Sequence, residues 1–386
     1  MSIEVGPPGG REDVSALAAI LAVSFGATEE GFRGWLEAAG IADVRVARRG
    51  GVPAGGLLLV PMGQFFGGRS VPMTGVAGVG VAPEHRGAGV ASRLMAEVLE
   101  ELHGRGVALS ALYASTQTLY RKVGYELAGV SLQFRASAAS LPSFPRDAAV
   151  RPITAAEQPR VRELYTAFAA RSPGHLDRRE YIWRRVEEPD GVPARGWLAE
   201  PDGYLYLTQQ RRERGGHDLL VGDLVALSPE SGRRLLSLLS DFRSLAKAVT
   251  WRGGPASALP LLFPEETVRT RVRHPWMLRV VDVSAALEAR GYPHGVETEL
   301  HLAVRDDFLP ANSRKWVLSV SKGTAGVRPG GRGRLHVDIR GLAPLYTGYL
   351  APEQVRAGGL LDGPDADLRA AAAVFSGPLP SMPDHF

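Results

Sequence analysis

One stretch limits the possible folds of this chain more than any other. Residues 76–81 form an apolar run rich in valine, Pro83 opens a turn, and His85-Arg86-Gly87-Ala88-Gly89 supplies two glycines; Val90, Leu94, Val98 and Leu102 then recur at helical spacing. This predicts a strand, a glycine turn and an amphipathic helix in direct succession. The first-turn N–H groups of a helix lack intrahelical partners and glycines let backbone approach an anion, so the arrangement suits a pyrophosphate. The competing reading is an ordinary glycine-rich turn between a strand and a helix.

The pattern starts again downstream. Val221-Gly222-Asp223-Leu224-Val225-Ala226-Leu227-Ser228-Pro229-Glu230 echoes Val76-Ala77-Gly78-Val79-Gly80-Val81-Ala82-Pro83-Glu84, and both copies run into a leucine-bearing helix, the second over 233–246. Aligning the Pro-Glu pairs sets Gly232-Arg233-Arg234-Leu235 against Arg86-Gly87-Ala88-Gly89. Leu235 in place of Gly89 puts a side chain where a pyrophosphate needs bare backbone, so the second copy is expected to keep the fold and lose the ligand.

Chain length fits this duplication, since 386 residues exceed one typical core. In the first unit, helices are expected over 14–23 and around Phe32, Trp35 and Leu36, and a hairpin of strands at 44–47 and 52–61 turning at Arg49-Gly50-Gly51. After the signature strand and helix come a strand at 107–113, a short helix at 116–123 and a strand at 125–135. This alternating order predicts an α/β fold, a mixed sheet covered by helices. Residues 136–150 read as a linker. The expected units are 1–136, 137–281 and 282–386. The third opens on a helix from Val283 closed by Gly291 and continues through strands at 296–304, 316–321 and 334–339. The proline-rich end, Gly377-Pro378-Leu379-Pro380-Ser381-Met382-Pro383-Asp384-His385-Phe386, would by default be disordered.

Composition narrows the function classes. The chain has no cysteine, which excludes disulfides, thiolate–zinc sites and a cysteine nucleophile and is compatible with a reducing cytoplasm, the expected location. No His/Asp/Glu cluster has ligand spacing, so no metal is expected. The longest apolar runs, such as 16–23 and 55–60, are too short to span a bilayer, and the polar residues 1–11 do not resemble a signal peptide. Only four of the 45 basic residues are lysine, and the short arginine clusters carry no interleaved aromatics. Neither a nucleic-acid nor a membrane partner is expected, despite a net charge of +4.

Arg86-x-x-Gly89-x-Ala91 resembles the Q/R-x-x-G-x-G/A signature of the GCN5-related N-acetyltransferases, in which it holds the pyrophosphate of acetyl-CoA. Alone it is weak: about one match is expected by chance in so Arg-, Gly- and Ala-rich a chain, and the flanking strand and helix carry the inference. The whole chain resembles the Eis ("enhanced intracellular survival") family of these enzymes, most strongly over 76–125, where the hydrophobic strand, the Pro-x-His-Arg turn and a Tyr-x-x-x-Gly-Tyr ending all recur. The resemblance implies an α/β (α+β) architecture of tandem GCN5-related N-acetyltransferase folds followed by a sterol-carrier-protein-like α+β domain. It implies acetyl-CoA contacts at Val79, Gly80 and Val81, whose backbone can pair with the pantetheine arm like an added strand. Further contacts fall on Arg86, Gly87, Ala88, Gly89, Val90, Ala91 and Ser92 for the phosphates, and on Ser115 and Thr116. Tyr120 falls on the family's general acid and the terminal carboxylate of Phe386 on its general base. The family also implies a homohexamer, either a trimer of dimers or a dimer of trimers, and acceptors that include aminoglycosides or protein lysines.

Those roles suit the chemistry. An amine must lose a proton to attack a thioester and the departing thiolate must be stabilised or protonated, which a phenol within hydrogen-bond reach can do. An α-carboxylate is a poor base in water, and burial raises its pKa. Expected acceptor contacts are Phe32, Trp35, Glu37 and Asp384, with Glu29 and Glu30 nearby; His385 stands where an acidic residue would add attraction for cations. Tyr120 and Tyr125 as plain core aromatics, and Phe386 as a frayed end, are the alternatives at those positions. The overall expectation is an acetyl-CoA-dependent acetyltransferase acting on primary amines of the aminoglycoside-like polyamine kind by direct attack in a ternary complex. The alternatives are a protein-lysine acetyltransferase or a lipid or small-molecule binding protein.

Overall fold

A computed structural model describes residues 2–145, 149–213 and 215–386. In chain order the elements are β1 (Ile3–Gly6), α1 (Arg11–Phe25), α2 (Glu29–Ala39), β2 (Val44–Arg49), β3 (Val52–Phe66), β4 (Arg69–Val81), α3 (Val90–Gly104), β5 (Leu109–Leu112), α4 (Gln117–Arg121) and β6 (Glu126–Ser137). The second repeat supplies β7 (Val150–Pro152), α5 (Gln158–Ala170), β8 (Leu176–Asp177), α6 (Glu180–Glu187), β9 (Arg195–Ala199), β10 (Gly203–Arg211), β11 (His217–Ala226), α7 (Pro229–Ser240), β12 (Ala246–Gly253) and β13 (Arg269–Val280). The rest forms α8 (Val283–Ala289), β14 (Thr298–Arg305), β15 (Lys315–Ser321), β16 (Thr324–Pro329), β17 (Leu335–Asp338), α9 (Ile339–Thr347), α10 (Pro352–Ala357), β18 (Leu361–Asp362) and α11 (Asp365–Val374).

The chain forms two compact units. The first holds the residues up to Ala128, Trp276–Gly377 and Phe386; the second holds Gly129–Pro275 and Pro378–His385. In the first, β1, β2, β3 and β4 pair antiparallel in that order, β5 lies parallel to β4, and β13 lies antiparallel to β5. In the second, β7, β9, β10 and β11 pair antiparallel, β12 lies parallel to β11, and β6 lies antiparallel to β12. The two sheets therefore repeat one ladder. The sixth strand of each comes from the other repeat, so the compact units divide inside β6 and β13.

Each core follows the expected periodicity. Val90, Leu94, Val98 and Leu102 of α3 are all buried, against Leu57, Leu59 and Val76 of the sheet. In the second unit Leu235, Leu236 and Leu239 of α7 pack on Leu205, Leu207, Leu219 and Val221. Of the expected linker at 136–150, residues 146–148 lie outside the described residues, and what precedes them is core: Leu141 is buried and Phe144 packs beside it, its N–H donating to Ser237 Oγ at 2.8 Å. The apolar residues in that run find a hydrophobic surface within reach, and burying them outweighs the turn-forming prolines.

The C-terminal five-stranded sheet, ordered β16-β15-β14-β17-β18, belongs to the first unit. Phe66 at the end of β3 meets Tyr346 of α9 edge-on at 5.2 Å. Glu126 accepts from Arg121 of α4 at 2.7 Å and from Arg340 of α9 at 2.5 Å, which ties the short helix carrying Tyr120 to the C-terminal domain.

Candidate active site

Strands β4 and β5 are registered at only three places, Met73↔Leu109, Thr74↔Ser110 and Gly75↔Ala111, although β4 runs on to Val81. From Val76 onward the two strands part. The other edge of β4 stays paired with β3 as far as Gly55↔Val81, so the backbone of Val79, Gly80 and Val81 can bond an extended chain only on the β5 side.

At the outer end of this opening, Gly87 and Gly89 take φ of +75° and +82°, and a Cβ at either would meet nothing within 4 Å. Their need for glycine is conformational, and the space above them is open. Gly89 caps α3 without a side-chain hydrogen bond, which leaves the N–H groups of Val90, Ala91 and Ser92 to a ligand. Arg86 is exposed beside them, its Nε 3.4 Å from the carbonyl of Val81. Ser115 and Thr116 are exposed between β5 and α4. The expected phosphate and pantetheine residues thus gather around one opening.

The second copy has no such turn, and the reason differs from the expected one. Helix α7 begins at Pro229, directly after β11, so Leu235 lies in the helix as a fully buried core residue rather than at the position of Gly89. Ser228 caps the helix by accepting from the N–H of Ser231, and both serine hydroxyls donate to Asp202 Oδ1, at 2.6 and 2.7 Å. A carboxylate of the chain itself thus stands at this helix N-terminus, where a phosphate would be repelled.

The tail is ordered. Phe386 is buried, with its ring 5.9 Å from that of Tyr113. A Cβ on Gly75 would sit 2.5 Å from Phe386 Cε2. Gly75 is the last paired position before β4 and β5 diverge, so the final residue of the chain reaches the vertex of the opening. Gly75 and Tyr113 were not among the expected site residues; a glycine inside a strand is the available signal of such a close approach.

Tyr120, in α4, is 7% exposed and meets Tyr125 edge-on at 6.0 Å. Burial pushes its phenol up to about 12. Tyr125 is the structural member of the pair: Ser110 Oγ donates to the Thr74 carbonyl at 2.9 Å, so the Tyr125 hydroxyl, 2.7 Å away, donates to Ser110. The first of these bonds pins β5 to β4 below the vertex, and the second ties Tyr125, just before β6, to β5.

Of the expected acceptor contacts, Phe32 and Trp35 meet edge-on at 5.8 Å, and Trp35 lies against Gly78, where a Cβ would be 2.8 Å from the indole. They flank β4 just before Val79. Glu37 does not join them: two residues past Trp35 on α2, it projects from a different face and is exposed. Asp384 is not available to a substrate either. Both its oxygens bond the Arg178 guanidinium, at 2.8 and 3.0 Å, and Tyr165 OH is 3.3 Å away. Sequence spacing reveals no partner 206 residues away.

Among the described residues no group of three or more His, Asp or Glu could hold a metal, and no single helix is long and apolar enough to cross a membrane. The acetyltransferase (GNAT) domain description matches residues 8–128 and again 174–280, and a sterol carrier protein domain matches 283–383. A solved structure, that of a GCN5-related N-acetyltransferase from Anabaena variabilis, is 37% identical with a TM-score of 0.94, covering 100% of both chains. An uncharacterized N-acetyltransferase from Streptomyces griseus is 32% identical over 353 residues, 83% of each chain. The N-acetyltransferase Eis of Mycobacterium tuberculosis is 28% identical over 330 residues, 80% of this chain and 79% of that protein.

Proposed function

Because the chain belongs to the Eis family of GCN5-related N-acetyltransferases, with tandem acetyltransferase folds and a sterol-carrier domain, it uses acetyl-CoA; we propose that it acetylates a primary amine by direct attack in the first copy alone. The observation that carries this reading is the seat of Phe386 at Gly75, the vertex of the only splay whose helix N-terminus is open among the described residues. Bound acetyl-CoA supplies the thioester. Val79, Gly80 and Val81 hold the pantetheine arm as an added strand, the N–H groups from Gly87 to Ser92 and the Arg86 guanidinium hold the pyrophosphate, and Ser115 and Thr116 border the path. The terminal carboxylate of Phe386 takes the ammonium proton of the acceptor. The amine nitrogen then bonds the acetyl carbon and the C–S bond breaks; Tyr120 gives its proton to the leaving sulfur and the second proton shed by nitrogen restores the phenol, so that an amide and the free CoA thiol depart.

Gly89→Leu tests the turn. An L-residue at φ +82° costs about 1–2 kcal/mol, and its side chain enters the space a pyrophosphate needs. Acetyl-CoA affinity measured by calorimetry should fall at least ~10-fold, since the lost N–H bonds to a charged group carry ~1.5–3 kcal/mol each. Unchanged affinity with an intact fold would place the cofactor elsewhere.

The acceptor is a primary amine of low positive charge. Burial first, and then the charges of Arg273, Arg185, His274 and Arg252, push His385 down to about 4. Arg185 Nε also donates to the His385 carbonyl at 3.1 Å. His385 thus supplies no negative charge beside Phe386, where a carboxylate would attract a polycation, which disfavours the aminoglycosides that the family resemblance suggests. CoA release should therefore be faster with monoamines and lysine peptides than with aminoglycosides or polyamines, and should be lost in a chain extended beyond Phe386. Preference for the aminoglycoside refutes the charge argument; release at full rate from the extended chain refutes the terminal base.

A further inference from the structure

A helix of five residues does not hold itself together in water, so the place of Tyr120 on α4 is set by what surrounds that helix. Its C-terminal end closes on the chain that follows. Tyr125 N–H donates to the Tyr120 carbonyl and Gly124 N–H to the Arg121 carbonyl, both at 3.1 Å, with Gly124 at φ +89°. This is the glycine-ended stop in which the residue after the glycine packs on the one that opens the turn, here Tyr125 on Tyr120. Such a stop orders the turn internally and leaves open what holds it to the rest of the protein.

Arg279 supplies one anchor. It stands on β13 opposite Ser110 of β5 and is fully buried. A Cβ on Gly124 would lie 2.8 Å from Arg279 Cζ, 2.8 Å from Nη1 and 2.9 Å from Nε, and three such nearly equal distances require the flat face of the guanidinium, not its edge, to meet the glycine. Nη2 donates to Asp306 Oδ2 at 2.6 Å, while Nε and Nη1 have no acceptor among the described residues. Asp306, just past β14, is itself fixed, accepting from Asn312 Nδ2 at 2.9 Å and from the N–H groups of Phe308 and Leu309 at 3.1 and 3.0 Å. Unmet donors on a buried cation are costly, and an apolar side chain would fill the same space without them. What arginine alone brings is a rigid plane held in place by charge. Glu126 is the other anchor, since it joins Arg121 of α4 to Arg340 of α9. Asp306 and Arg340, both from the C-terminal domain, thus grip the segment 121–126 at two points.

We propose that Arg279 and Arg340 are positioning residues for acetyl transfer, through which the C-terminal domain holds the Tyr120 phenol at the leaving sulfur. Both act through α4, and the proposal rests on Tyr120 being the acid.

The test is a set of single and double variants of the full chain. Arg279→Lys keeps a cation for Asp306 and gives up the plane. Its kcat for CoA release should fall about 10- to 100-fold, as a misplacement of ~1 Å in a reacting group does, with acetyl-CoA affinity within about twofold by calorimetry. Arg340→Gln, at a side chain 33% exposed, frees Glu126 from α9 without disturbing the core and should lower kcat about three- to tenfold. Coupling separates positioning from general damage. In a Tyr120→Phe chain each change should alter kcat by less than about twofold, because a missing acid cannot be misplaced. If Arg279→Lys does not fold, Arg340→Gln carries the same comparison. Turnover at the parent rate in the folded variants, or an equal loss with and without the Tyr120 hydroxyl, overturns the proposal. Should Tyr120→Phe alone turn over normally, the acid assignment falls and the positioning role with it; a crippled Tyr120→Phe beside unimpaired arginine variants removes the positioning role alone.

Discussion

Replacing Tyr120 by phenylalanine is expected to lower turnover by two to four orders of magnitude, the usual worth of a positioned acid, while acetyl-CoA affinity stays within about twofold. The substitution removes one oxygen from a buried ring whose edge-on contact with Tyr125 it leaves in place, so folding stability should change by less than ~1 kcal/mol. A large kinetic effect with little structural effect separates an acid from a core aromatic. Magnitudes also constrain how the acid works. A phenol pushed up to about 12 would transfer its proton to a thiolate near 8.5 uphill by roughly 5 kcal/mol. An acid at Tyr120, as proposed, therefore has to act first as a hydrogen-bond donor to sulfur as charge develops, with full protonation following cleavage. The sign in pH follows: the protonated phenol is the active form and its pKa is raised, so activity from this group is present throughout the neutral range and lost only as pH rises through about 12. A kcat unchanged in Tyr120→Phe, or an acidic-side loss that disappears with the phenol, would remove the assignment.

The parts of this site that the sequence disclosed are those set by local physics. The α3 stripe of Val90, Leu94, Val98 and Leu102 and the glycines at positive φ are written in periodicity and residue type, and they appear where expected. What stayed hidden depends on partners far along the chain. The expected strand at 125–135 matches β6, but its residues do not show which sheet it completes, and β13 was not among the expected strands, so the exchange between repeats left no trace. The pairing of Pro229-Glu230 with Pro83-Glu84 is real as sequence and false as geometry, because Ser228 caps a helix that begins about two turns earlier than α3 does in that alignment. The tail is the clearest case. Its prolines and small residues carry no helix or strand signal, yet Ser381 N–H donates to the Pro173 carbonyl at 2.9 Å and Met382 is fully buried. Fixed proline dihedrals lower the entropy lost when such a segment docks.

The same docking sets the largest expected effect on stability, from Arg178→Met. Arg178, 1% exposed, lies between two carboxylates, Asp223 at 2.6 Å and Asp384 at 2.8 Å, with its guanidinium carbon 3.7 Å from the Tyr165 ring centroid. Methionine keeps much of the volume and abandons two buried negative charges. Removing one partner of a buried pair costs about 3–5 kcal/mol, and here one cation serves two anions, so thermal unfolding should place the loss at the top of that range. Adding Asp223→Asn and Asp384→Asn to Arg178→Met should recover a large part of it, because the uncompensated charge, rather than the missing contact, is the cost. Failure to recover would mean that the cluster stabilises by packing alone. Acid should weaken the same cluster in the parent chain. Burial pushes Asp223 up, but the charge and hydrogen bonds of Arg178 and the bond from Tyr204 more than offset it, and its pKa ends below the ordinary carboxylate value. The stability it contributes is therefore present above ~3.9 and lost as pH falls through the lower folded value. Burial holds neighbouring His175 down to about 4, so the unfolded chain binds that proton first and stability already declines as pH falls from ~6.5 towards 4. His175→Gln should flatten that upper limb and leave the lower one, which belongs to the carboxylate. Asp384 stands two residues from the end of the chain, so the cation that neutralises it also anchors the segment bearing the terminal carboxylate; Arg178→Met should cost turnover as well as stability, and the charge-neutral triple variant should recover stability without recovering turnover.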